Sequence, residues 1–282
     1  MDAIDSAYRC RRCGRRLSGR DGELSCPNCG ATIPIVDGIP RFPVPDGVGD
    51  SSHETFFDRL APVYETPVWF RPLYRFIGGA TAPRDDRSTI ASMLDLEAGA
   101  ETACEIEGDD EDEGESEGEP EALTVLDVAC GTGRIARRVA ADAGAVLGVD
   151  ISGEMLERAQ RYAAREGVET VAFARMSADR LWLDADAFDR VACCWALHIL
   201  PDVAAALDET YRVLRPGGRF VGTTLVDEYV LDLAPVRAVA RGTLGAEPFT
   251  VSELREALRA AGFSAIEFDR RGAALFFRAR AE

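Results

Sequence analysis

The chain changes character along its length, and the alternation of apolar and polar positions marks where. From Leu123 onward short apolar runs alternate with stretches of helical periodicity. LTVLDVA predicts a buried strand, RIARRVAADA an amphipathic helix, and AVLGVDI a second strand. SGEMLERAQRYAARE predicts a second helix with Ser152 as N-cap, and VAFARM and FDRVACC the third and fourth strands. DVAAALDETYRVL is a helix ended by Pro216-Gly217-Gly218, after which RFVGTTL returns as a strand. TVSELREALRAAG gives a last helix capped near Thr250 or Ser252. SAIEFD and AALFFRARA follow with no helix between them, which predicts an antiparallel pair. Strands alternating with helices predict an α/β fold, a doubly wound and mostly parallel sheet covered on both faces.

Upstream the pattern is less regular. Residues 1–45 hold half of the eight cysteines, with several glycines and prolines, and predict a small separate unit. Residues 46–96 read as a linker and short helices broken by Pro62, Pro67 and Pro72. Their aromatic residues Phe56, Phe57, Tyr64, Trp69 and Phe70 suit either a lid over a site or an ordinary packed layer. Residues 97–121 form a low-complexity insertion with eleven acids between Glu105 and Glu121, too polar to offset its ordering entropy. Residues 122–282 then form the sheet domain.

Charge adds two constraints. The 282 residues carry a formal charge of −17, and all 32 basic residues are arginine. Such an acidic chain repels phosphate backbones, which argues against a general nucleic-acid coat while leaving room for a local basic patch. The lysine-free, acid-rich composition also suits a high-salt cytoplasm. No apolar run approaches the ~18 residues of a spanning helix, and MDAIDSAYRC lacks the pattern of an export signal. The expected location is cytoplasmic, so the cysteines read as thiols or metal ligands.

Cys10-x2-Cys13 and Cys26-x2-Cys29 form two C-x2-C pairs, each followed by a glycine, Gly14 and Gly30, that permits a tight turn. Two such turns close a tetrahedral sulfur shell around structural Zn²⁺. The segment resembles a zinc ribbon, and ATIPIVDGIPRF is similar to the small zinc-binding proteins that activate methyltransferases. Arg9, Arg11, Arg12, Arg15, Arg16 and Arg20 crowd it, suited to RNA phosphates or to ion pairs with the chain's own acids.

The other chemistry-bearing motif is VLDVACGTGRIA. Gly131 and Gly133 fall where a strand turns into a helix, so backbone can approach a ligand, and Asp150 ends the next strand. A glycine pattern alone also suits a nicotinamide cofactor. Asp127 tilts the reading, because a carboxylate there opposes a pyrophosphate and favours an ammonium group.

With FFDRLAPVYE, VDIS-x2-ML, FDRVACCWALHILPD and YRVLRPGGRF in order, the chain resembles the class I S-adenosylmethionine-dependent methyltransferases, particularly the quinone-methyltransferase group. The resemblance implies a Rossmann-like sheet with an antiparallel last strand. It implies that Ala129, Gly131 and Gly133 line the cofactor and that Asp127 faces its methionyl amine. Asp150 and the adjoining Ile151 would meet the ribose, and Met155 the adenine. Ser177, Ala178 and Asp179 stand where the family often has Asp-Ala-Glu beside the adenine amine, and Ser177 departs from that carboxylate. Cys194 would border the methyl group. His198 matches a family histidine and is either a proton acceptor or a packing residue.

Three functions follow as expectations. The first is methyl transfer to a small hydrophobic, phenolic or quinone-like acceptor. The second is methylation of a ribosomal RNA guanine, with the ribbon binding RNA. The third is a non-catalytic cofactor-binding partner. CCWALHIL replaces the Asn-Pro-Pro-Tyr type of motif, which disfavours planar-amine acceptors.

Overall fold

A computed structural model describes residues 2–20, 22–44, 65, 70–79, 86–96 and 122–282. The acidic stretch 97–121 and the aromatic residues Phe56, Phe57, Tyr64 and Trp69 lie outside the described residues.

The N-terminal module opens with helix α1 (Asp2–Ala7), an element absent from the sequence-based expectation. Four short strands follow, β1 (Ser18–Arg20), β2 (Glu23–Ser25), β3 (Thr32–Val36) and β4 (Ile39–Pro40), in an antiparallel meander. Val36 pairs with Ile39 across a two-residue turn of Asp37 and Gly38, both at positive φ. That backbone matches the twist of the strands it joins, and an Asp-Gly pair is the residue choice it favours.

Helices α2 (Phe70–Gly78) and α3 (Asp86–Leu94) lead to the sheet domain. There β5 (Thr124–Val128), α4 (Arg134–Val139), β6 (Ala145–Asp150), α5 (Gly153–Glu166), β7 (Val171–Arg175) and β8 (Phe188–Cys194) alternate as the periodicity predicts. Then come α6 (Val203–Val213), β9 (Leu214–Leu225), α7 (Ala234–Leu244), α8 (Val251–Ala260), β10 (Ser264–Arg271) and β11 (Ala274–Arg280). Helix α7 had no counterpart in the apolar pattern. Strand β9 starts at Leu214, before Pro216-Gly217-Gly218, with an irregularity in its pairing to β8 between Phe188 and Arg190.

The sheet order is β10-β11-β9-β8-β5-β6-β7. Strand β11 runs antiparallel to both neighbours, and β9, β8, β5, β6 and β7 are mutually parallel. Strand order reverses beside β5, and in such a sheet ligands bind beyond the carboxyl ends of the strands at that point. Ser152 caps α5 by accepting from Met155 N–H, and Thr250 with Glu253 forms a reciprocal capping box on α8.

The N-terminal module shares its core with the sheet. Ile4, Tyr8, Leu17, Ile33 and Phe42 belong to the same buried cluster as Leu126, Leu147, Trp182 and Phe220. Tyr8, Phe42 and Trp182 stack in series at ring-centroid distances of 5.4 and 5.6 Å. Arg9 pairs with Asp184 and Arg11 with Glu209.

Candidate cofactor and metal sites

The bend after β5 is built from backbone conformations that side chains resist. Ala129 has φ 54°, Gly131 φ 55° and Gly133 φ 73°. Left-handed conformation at a non-glycine costs energy and concentrates at ligand sites, and Trp195, at the end of β8, adds another at φ 61°.

These bends open a cavity of about 480 Å³ beyond the ends of β5, β6 and β8. Of the residues expected at a cofactor, Ala129, Gly131, Asp150, Ile151 and Met155 line it from one side. Ser177, Ala178, Asp179 and Cys194 line it from others. The Asp150 carboxylate is oriented from two sides, accepting from Gly131 N–H at 2.7 Å and Ser152 N–H at 2.9 Å. Open space surrounds the position where Gly131 would carry a Cβ, and Asp179 Oδ1 is buried with no hydrogen-bond partner. An orphaned acceptor in the wall of a cavity suits a donor-bearing ligand such as an adenine amine.

Three expected residues stand elsewhere. Gly133 does not line the cavity. A Cβ there would come within 2.9 Å of the Phe173 ring, so this glycine serves helix–sheet packing. Asp127 lies behind the bend, 1% exposed, with Oδ2 accepting from Ala136 N–H at 3.0 Å. Desolvation raises its carboxyl to about 7, against the pull of the Ala136 N–H. His198 is buried outside the cavity, its Nδ1 accepting from Leu225 N–H at 3.3 Å and 3.1 Å from Thr224 Oγ1. Burial lowers it to about 3, so the ring is neutral at ordinary pH. Its geometry is that of a packing histidine.

Beyond the expected set, Trp195, Ile199, Leu200, Pro201 and Ala206 extend the cavity as a largely apolar half, with Asp202 as the one acid among them. Cys194 borders it as a protonated thiol, since burial and then the Asp127 charge push it well above its usual value. Trp195 Nε1 donates to Asp86 Oδ2 at 3.0 Å, and Asp86 Oδ1 accepts from Arg134 at 2.8 Å. Glu65 meets Thr132 and Arg137 from the other flank. Asp86 carried no sequence signal, because it acts across a long separation in the chain, whereas Glu65 closes the FFDRLAPVYE motif without its partners being legible there.

In the N-terminal module the two cysteine turns are alike. Gly14 N–H donates to Cys10 O at 2.7 Å and Gly30 N–H to Cys26 O at 3.1 Å, with both glycines at positive φ. All four Sγ atoms of Cys10, Cys13, Cys26 and Cys29 lie within 4.8 Å of one another. Four Zn–S bonds of about 2.3 Å need sulfurs about 3.8 Å apart, so the cluster fits Zn²⁺. With four sulfur ligands it leaves no open coordination position, the mark of a structural ion.

Residues 125–218 match the family model described as a methyltransferase domain. Over those residues the chain is similar to a methyltransferase domain, as the motif order in the sequence implies. It is 39% identical over 105 residues to the uncharacterized methyltransferase YcgJ of Bacillus subtilis, covering 37% of this chain and 40% of that one. It is 41% identical over 102 residues to the demethylmenaquinone methyltransferase of Symbiobacterium thermophilum, covering 34% and 40%. The chain thus spans about 40% of the length of the curated relatives it matches. Two solved structures share the fold over 80% of this chain. One is a SAM-dependent methyltransferase from Thermotoga maritima (TM-score 0.55, 20% identity, 99% of that chain). The other is a chain from the complex containing the Haloferax volcanii Trm112 methyltransferase activator (TM-score 0.58, 19% identity, 97% of that chain).

Proposed function

We propose that this protein transfers a methyl group from S-adenosylmethionine to a small, largely apolar acceptor of phenolic or quinone-like type. The observation that carries the acceptor class is the largely apolar half of the cavity, where Trp195, Ile199, Leu200 and Pro201 continue from the polar cofactor half and the one acid beside them, Asp202, is engaged in capping α6 through Ala205 N–H. The demethylmenaquinone methyltransferase among the relatives supports the same class.

When bound, the cofactor supplies a methyl group on a sulfonium, open to in-line displacement by an acceptor lone pair. The chain's own residues then have to hold, align and dry the reactants. Asp150, with both oxygens already oriented by backbone N–H groups, offers a fixed acceptor for ribose hydroxyls. Asp179 offers the unpaired Oδ1 for the adenine amine, in place of the carboxylate that Ser177 lacks. Trp195 and Leu200 form an apolar surface for a ring. His198, buried outside the cavity with Nδ1 accepting from Leu225 N–H, and the protonated Cys194 thiol are poorly placed as bases, which suits an acceptor that ionises readily or carries its own nucleophilic carbon.

Calorimetry with S-adenosylhomocysteine and labelled-methyl transfer into host extract test this directly. Binding and a labelled apolar product are expected. Asp150→Ala should weaken binding by roughly 1.5–3 kcal/mol, the loss of a charged hydrogen-bond partner. No heat with wild-type protein would end the cofactor reading. Label found only in large-subunit ribosomal RNA would favour the guanine-methylating alternative, which draws support from the exposed Arg12, Arg15 and Arg16.

A further inference from the structure

One wall of the cavity, Met176, Ser177, Ala178 and Asp179, belongs to no helix or strand and holds only a single internal bridge, Ser177 with Arg180. A loop of that kind loses conformational entropy when ordered and needs outside contacts to stay in one shape. The sheet domain supplies some of them, Met176 N–H donating to Asp150 O at 3.0 Å and Arg212 donating to Leu181 O and Leu183 O, and the N-terminal module adds contacts on both flanks. Before the wall, Arg175 O accepts from Phe42 N–H at 3.0 Å, and Arg41 bridges Arg175 in parallel register. After the wall, Trp182 O accepts from Arg9 N–H at 2.8 Å, and Asp184 N–H donates to Ala7 O at 2.8 Å. The Tyr8–Phe42–Trp182 stack fills the space between the two attachments. Arg11 adds a third link, because its partner Glu209 accepts from Leu181 N–H at 2.8 Å.

Arg9 and Arg11 flank Cys10 in sequence, and Cys10 itself is buried in the shared core. The module is small, with few apolar residues of its own, and its cysteine turns are the kind that a metal ion holds closed. None of the four cysteines lines the cavity.

We infer that the thiolate-bound metal of the N-terminal module fixes the 176–179 wall, so that cofactor affinity depends on a metal ion that never touches the cofactor. The module is a built-in support for the adenine side of the site. This rests on the cofactor reading of the cavity given above.

The test uses the full-length chain, with zinc content measured by elemental analysis. S-adenosylhomocysteine binding is followed by calorimetry and amide exchange by mass spectrometry, before and after chelation. Metal removal should weaken binding at least tenfold and speed exchange across 176–183, while β5, β6 and β8 stay protected. Zinc-loaded Phe42→Ala, which leaves all four thiolates in place, should weaken binding and loosen the same segment. Unchanged exchange across 176–183 in verified zinc-free protein would overturn the inference, as would unchanged affinity. Should chelation unfold the sheet as well, zinc-loaded Phe42→Ala decides alone, and wild-type affinity in that variant overturns the inference. If zinc-loaded wild type binds no S-adenosylhomocysteine, the cofactor reading fails, whereas exchange across 176–183 still reports whether the metal orders the wall.

Discussion

Trp195 and Asp86, 109 residues apart in the chain, meet through a 3.0 Å hydrogen bond from the indole Nε1 to Oδ2. The same carboxylate, 3% exposed, takes Arg134 on its other oxygen. One buried acid thus ties the strained aromatic at the end of β8 to the first residue of the helix after the glycine bend. Asp86→Ala removes a charged hydrogen-bond partner from a mostly buried arginine and should cost about 1.5–3 kcal/mol in urea unfolding. Asp86→Asn keeps the acceptor for Trp195 and should cost less. A loss under about 0.5 kcal/mol in the alanine variant would show that Arg134 is satisfied without Asp86.

His198 provides a pH test. Its folded value near 3 lies below the unfolded value near 6.5, so the unfolded chain binds a proton first as pH falls. Stability from this group is complete above 6.5 and drains away on acidification toward 3. At pH 5 the loss amounts to about 2 kcal/mol. His198→Asn, which retains an acceptor for Leu225 N–H, should lose correspondingly less stability between pH 7.5 and 5. Its affinity for S-adenosylhomocysteine should match wild type, as the imidazole does not line the cavity. A large affinity defect would return His198 to the site.

Asp127 has the opposite sign. Its folded value, raised to about 7, lies above the unfolded value of 3.8, so the folded chain keeps the proton longer. Stability from this group falls as pH rises from about 4 to 7. Relative to wild type, Asp127→Asn should therefore gain by up to about 1 kcal/mol per pH unit across that window, measured by urea midpoints. A flat difference would mean that Asp127 is ionised throughout.

The two glycines of the bend should separate cleanly. Gly133→Ala forces a Cβ toward Phe173 at 2.9 Å in a left-handed backbone, and should cost about 2–4 kcal/mol. Gly131→Ala meets open space and should cost only about 1 kcal/mol of backbone strain. Because Gly131 lines the cavity, its variant should instead lose S-adenosylhomocysteine affinity. Equal thermal shifts in the two would contradict this division.

How much of this was legible in the sequence depends on the range of the interactions. Strands β5 to β9 and the helix caps at Ser152 and Thr250 are local, and composition and period carry them. The paired cysteines are legible for a similar reason, since each C-x2-C spans one turn. The positions that share the cavity, from Ala129 to Cys194, could be grouped through a motif order resembling a known family. Asp127 and Gly133 sit in that motif but face inward, and a one-dimensional pattern does not say which way a carboxylate turns. Helix α1, the docking of Phe42 and Trp182, and the Asp86–Trp195 bond left no trace, because each is decided by residues far away in the chain.

The docking of the N-terminal module also dictates an order of events in synthesis. Arg9 meets Asp184 across 175 residues, and Arg11 meets Glu209 across 198. A ribosome releases the cysteine turns long before the strands that cover them, and contacts so distant form late. Until Trp182 emerges, Tyr8 and Phe42 have only each other and the module's own few apolar residues to lie against. The nascent chain therefore passes through a stage with an uncovered aromatic face, the stage at which it is most exposed to aggregation.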